Sequence, residues 1–142
     1  MNRLLLFVGL AVVLALLNGC GGAKEYTGEQ RYPLSGKVTV DGQPMESGVI
    51  SFLPEEKEGR VSGGPIKGGA YSVTEAMGAN AGKYRVKINW NKPTGRRVKD
   101  AYGEEIMDEY KEGLPAKYHS KSELTVEVPV KQNTFDFELK TN

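Results

Sequence analysis

The chain has 142 residues, 19 Lys or Arg against 18 Asp or Glu, one His and one Cys. That length suits a single domain, and the near-zero net charge gives no electrostatic basis for nucleic acid as a partner. One cysteine excludes an intramolecular disulfide, so Cys20 is an incidental small residue, a reactive nucleophile or a site of modification.

Met1, Asn2 and Arg3 precede the apolar run LLLFVGLAVVLALL, Leu4 to Leu17, and the chain turns polar after Cys20. The run is 14 residues long, within the span of a signal-peptide core and short of the roughly 20 a bilayer span needs. A secretory signal over 1–19 is therefore expected. Its removal takes away Arg3 and leaves 18 basic against 18 acidic residues.

Leu17, Asn18, Gly19 and Cys20 resemble the lipobox of bacterial lipoproteins, with Asn18 where Ala or Ser is commoner. The resemblance implies cleavage between Gly19 and Cys20, diacylglycerol on the Cys20 thiol and an acyl chain, such as palmitate, on the new amine. A soft sulfur nucleophile suits that alkylation. It also implies a membrane anchor facing the periplasm or exterior, and Gly21 in place of Asp favours the outer of two membranes. Residues 20–33, polar and without periodicity, read as a tether of roughly 20 Å.

From Leu34 the period becomes two. Leu34, Gly36, Val38 and Val40 share one face of the first strand, and Asp41-Gly42-Gln43-Pro44 follows as a turn. Gly48 to Leu53 alternates in the same way. Short strands near Val61 to Ile66 and Ala70 to Thr74 flank a Gly-Gly turn, and Lys83 to Trp90 sets Tyr84, Val86, Ile88 and Trp90 on one face. Leu124 to Val128 and Phe135 to Leu139 complete the set, with Pro129 to Asn133 read as a hairpin loop between them. Short antiparallel strands separated by turn signals predict an all-β, Greek-key β-sandwich over 34–142.

Residues 92–122 break the alternation and read as an irregular excursion. Within it Ile106 and Tyr110 lie one helical turn apart among acids, which predicts a short helix ended by Gly113 and Pro115.

SGKVTVDGQPMESGVISFLP, GAYSV, AGKYRVKI, LPAKYHSKSELTVEV and FDFEL together resemble small bacterial lipoproteins with a carboxypeptidase-regulatory-like or transthyretin-like domain. The resemblance runs from about Leu34 onward, with Ala81 where the family often has Pro. It implies a seven-stranded transthyretin-like (prealbumin-like) sandwich serving as a non-catalytic accessory module, and it carries over no active-site residue. A purine-breakdown hydrolase shares that fold but needs several histidines and a Tyr-Arg-Gly-Ser tail, whereas this chain has only His119 and ends FELKTN.

The residues themselves offer little chemistry. His119 has no second imidazole for a zinc site, no G-x-S-x-G elbow exists, and GGPIKGGAY lacks the Gly-Lys-Ser/Thr order of a phosphate loop. Glu104, Glu105, Asp108, Glu109 and Glu112 lack a calcium-loop pattern and read as a solvated helix face, with Arg96, Arg97 and Lys99 as counter-charges. No metal or cofactor is expected. Only Asp100, Glu104 and His119 brought together by the fold would reopen an enzymatic reading.

Trp90 shares parity with core residues. Tyr102, Tyr110 and Tyr118 are candidates for an aromatic ligand surface. Two functions follow as expectations: a lipid-anchored structural or protein-interaction module at the cell envelope, or a glycan- or peptide-binding module using 92–122. The partner would be the membrane through the lipid, and an envelope protein or polysaccharide. The oligomeric state is open.

Overall fold

The computed structural model describes residues 29–56, 59–129 and 133–142. Its fold is all-β and sandwich-like, with mainly antiparallel strands that curl around one core. The leader, Gly19, Cys20 and most of the tether lie outside the described residues.

Strand β1 (Leu34–Val40) turns at Asp41 and Gly42 into the two-residue β2 (Gln43–Pro44). Both turn residues have positive φ, 51° and 82°, which a two-residue hairpin turn demands and Asp-Gly supplies. β3 (Ser47–Pro54) pairs with β4 (Ser62–Lys67) on one side and β6 (Gly82–Asn89) on the other. The Gly68-Gly69 turn, with φ 56° and 77°, carries β4 into β5 (Ala70–Val73), which pairs with β1.

Period-two alternation decides which side chains meet. Ile50 lies opposite Ile88 and Phe52 opposite Val86, and all four are fully buried. Phe52 also meets the rings of Tyr71 and Phe135 at 5.9 and 6.3 Å, joining strands distant in sequence. Burial, then the nearby Asp136 carboxylate, holds the Tyr71 phenol well above its ordinary pKa, and its hydroxyl donates to the Phe135 carbonyl at 2.8 Å.

Of the remaining strands, β7 (Asn91–Lys99) and β8 (Ile106–Glu112) form a separate two-stranded sheet. β9 (Thr125–Val128) pairs with β6, and β10 (Phe137–Leu139) pairs with β1. The main sheet path is β10-β1-β5-β4-β3-β6-β9, with β2 beside β1.

All seven sequence-predicted strands are present as β1, β3, β4, β5, β6, β9 and β10. Two expectations change. β9 and β10 are not a hairpin: they sit at opposite ends of the path, and β10 runs parallel to β1. Alternation fixed their buried faces, whereas their neighbours follow from specific bonds, with Phe135 N donating to Ser35 O and Lys37 N to the Asp136 carboxylate.

The second change is larger. The helix expected around Ile106 and Tyr110 is strand β8, and most of the irregular excursion is the β7–β8 hairpin. A spacing of four fits a strand face as well as a helix turn, and cross-strand partners on β7 decide between them. The only helical geometry within 92–122 is a single 3-10 turn, Ala116–Tyr118.

Candidate functional site

The hairpin leaves the sandwich immediately after Trp90, and Glu112 fastens its base. One carboxylate oxygen of Glu112 accepts from Trp90 N (3.0 Å) and Leu114 N (2.9 Å), and the other from Asn89 Nδ2 (2.7 Å). Burial raises the Glu112 pKa, but these hydrogen bonds outweigh it and leave the group below the ordinary value of 4.5. Gly113 follows because a β-carbon there would stand 2.5 Å from the Trp90 ring. Trp90 is half-buried against the core, with Lys92 Nζ 5.0 Å from its ring centre.

The sign of the Glu112 shift sets a pH dependence. A carboxylate with a depressed folded pKa stabilises the fold above its unfolded value, and that contribution fades as pH falls through the folded value. Acidifying the protein below pH 4.5 is expected to loosen the hairpin base, read as a change in Trp90 fluorescence before global unfolding. Glu112→Gln should flatten that early transition; an unchanged profile would show that Glu112 does not hold the base.

Along the hairpin, β7 makes room for a bulge between Pro93 and Arg97. Arg96 grips Glu109 with two bonds, 2.9 and 2.8 Å, and Thr94 Oγ1 donates to the same carboxylate at 2.7 Å. The Arg96 bond, then Thr94, holds Glu109 below the usual carboxylate range. Arg97 stands 3.8 Å from Asp108, a looser pair with both side chains about two-thirds exposed. In the connecting turn Asp100 accepts from Glu104 N at 2.7 Å, and Gly103 adopts φ 74°.

The expected helical acidic face is thus a set of cross-strand and turn partners. Arg96 and Arg97 act as the counter-charges read from the sequence. Among the described residues no group of three or more His, Cys, Asp or Glu is arranged to hold a metal. Asp100 and Glu104 meet in the hairpin turn, while His119 lies at the base with a ring nitrogen 3.1 Å from the Leu114 carbonyl. The fold does not join the three.

The tyrosines separate as well. Tyr102 is 88% exposed in the turn and Tyr110 57% exposed on β8. Tyr118 packs partly against the core, and its hydroxyl accepts from Lys140 N at 3.1 Å, tying down the C-terminal strand.

Beyond Tyr102 and Tyr110, what the sequence did not single out is the exposed apolar content of the hairpin. Val98, Tyr102, Ile106, Met107 and Tyr110 are five of the eight large hydrophobic residues exposed among the described residues. The missed signal was two runs, RRVK and IMDEYKE, flanking a turn with Asp and Gly.

Elsewhere, a polar cavity of about 100 Å³ is lined by Glu29, Asn80, Lys83 and Tyr84 among others. Asn80 Nδ2 lies within bonding distance of the Glu29 and Gln30 carbonyls. Among the described residues Asn80 Oδ1 and the Tyr84 hydroxyl, both buried, have no partner within hydrogen-bond geometry, and burial raises the Tyr84 pKa. A cavity of that size and lining suits ordered water.

The fold and its hairpin together define a class: an all-β, sandwich-like body with one arm outside its core. Comparison with protein-family models, with curated proteins and with solved structures returns no match. No helix among the described residues is long and apolar enough to cross a membrane.

Proposed function

We propose that the protein is a lipid-anchored module of the cell envelope, in which the sandwich is the carrier and the β7–β8 hairpin is the element that touches a protein partner. Cys20 bears the anchor and residues 20–33 hold the domain clear of the headgroups, with the outer membrane as the destination where two membranes exist. The role is structural or one of protein interaction and involves no chemical step.

One observation carries this reading. Exposed large apolar side chains concentrate on the hairpin, where they contribute nothing to the core. A two-stranded hairpin is marginal by itself and gains nothing from uncovered Ile or Met. Contact with another molecule accounts for both. The aromatic ligand-surface alternative has less support, because Tyr118 is occupied at the base.

The test is photocrosslinking in the native host with a benzophenone side chain at position 102, 106 or 110 in turn, using position 61 as control. Val61 is 67% exposed and away from the hairpin. Discrete adducts at 110 and not at 61 are expected. No adduct at 102, 106 or 110, or the same adducts at 61, would remove the hairpin from the proposal.

A further inference from the structure

We infer that the outer edge of β8 is a strand-addition site for an extended segment of a partner protein, one that carries a Lys or Arg between two apolar residues. This deepens the proposed function and rests on the hairpin being the contact element.

Hydrogen-bond parity exposes the edge. Gly113 N donates to Trp90 O at 3.0 Å and Asp100 N to Glu105 O at 2.8 Å, just outside the pairs Asn91–Glu112 and Lys99–Ile106. Both pairs are therefore of the non-hydrogen-bonded kind, and the residues in them turn their peptide groups away from the partner strand. Ile106, Asp108, Tyr110 and Glu112 share that parity, so their amides and carbonyls aim away from β7. The Ile106 carbonyl takes a long 3.3 Å bond from the Arg97 guanidinium. Among the described residues β8 has no second strand beside it.

The two edges of the hairpin are not alike. On β7, Pro93 lies opposite Tyr110, at an outward position where its missing N–H costs no bond to β8 and removes a donor from the outer edge. The bulge after it and the cations Lys92, Arg96, Arg97 and Lys99 complete the usual protection of a strand edge. β8 runs seven residues with no Pro, Gly or bulge of its own. One edge is closed to pairing and the other is open.

Charge and geometry select the occupant. Residues 100–112 carry six acids against Lys111 alone. Two copies joined through β8 would set acidic edges together, and a copy offering β7 would meet Pro93 and the bulge, so self-pairing is disfavoured both ways. A strand from another protein meets neither obstacle. On the face that carries the outward residues, Ile106 and Tyr110 flank Asp108, whose one ion pair among the described residues is the loose one with Arg97. An apolar-x-basic-x-apolar segment places its side chains against those three in turn, while its backbone completes the ladder.

The test titrates the blocked peptide Thr-Ile-Thr-Arg-Thr-Val-Thr, up to about 1 mM, into the full isotope-labelled chain in detergent micelles. Expected are amide shifts and slowed hydrogen exchange at Ile106, Asp108 and Tyr110, with Met107 and Lys111 already slow. A peptide with Glu replacing Arg should bind about tenfold more weakly. Asp108→Asn should erase that preference, and Asp108→Pro, which removes an outward donor and no bond to β7, should abolish the alternating pattern. No binding, binding without the alternation, or equal binding of the Glu peptide would overturn the inference. Crosslinks at position 110 in cells without peptide binding would leave the hairpin as the contact element and reject strand addition. Peptide binding without crosslinks would uphold the edge and reject the proposed contact.

Discussion

Cys20→Ser is expected to abolish both processing and acylation, so that the chain accumulates uncut and carries no lipid. Ser offers a hard, far less nucleophilic oxygen in place of the thiolate that the proposed anchoring chemistry needs. The variant remains membrane-associated only as far as its uncut Leu4–Leu17 segment holds it, which makes fractionation alone ambiguous. Intact mass separates the cases. Wild-type protein from its native host should begin at Cys20 and carry added acyl chains, and the variant should begin before residue 20 with none. Each buried methylene contributes about 0.8 kcal/mol and one chain holds only marginally, so the proposed anchor requires two or more chains. A wild-type mature chain with a free thiol would overturn the anchoring proposal and leave the fold untouched.

The difference between what the sequence revealed and what it hid has a single physical origin. Period-two alternation is a record of burial. Where a strand packs one face on the core, as β6 does with Tyr84, Val86 and Ile88, the pattern is unmistakable and its bounds come within a residue of those observed. Where a strand packs on nothing, the pattern has no reason to exist. β7 and β8 are exposed along almost their whole length, so their residues carry no alternation, and Ile106 and Tyr110 were left to suggest a helix.

Pairing partners were hidden for another reason. Alternation names the face and not the neighbour, so β10 could be recognised as a strand while its parallel place beside β1 could not. Of the site, the counter-charges Arg96 and Arg97 and the exposure of Tyr102 and Tyr110 were legible. Glu112 was not: its role depends on amides of Trp90 and Leu114, a backbone geometry that composition does not encode.

That separation between buried and unburied apolar residues predicts the largest stability contrast in the molecule. Phe52→Ala should cost about 3–5 kcal/mol, because it removes a fully buried ring that touches Tyr71 and Phe135 and leaves a void between strands. A loss of that size is a large part of the roughly 5–15 kcal/mol that holds a small domain together. Ile106→Ser and Tyr110→Ser delete side chains that solvent already covers, 59% and 57% exposed, and should move stability by no more than about 0.5 kcal/mol. Urea unfolding followed by Trp90 fluorescence measures all three. If the hairpin variants unfold as the wild type does yet lose the crosslinks at position 102, their apolar side chains serve contact and not folding. If they instead cost as much as Phe52→Ala, the hairpin is part of the structural core, and its exposed residues need no partner to account for them.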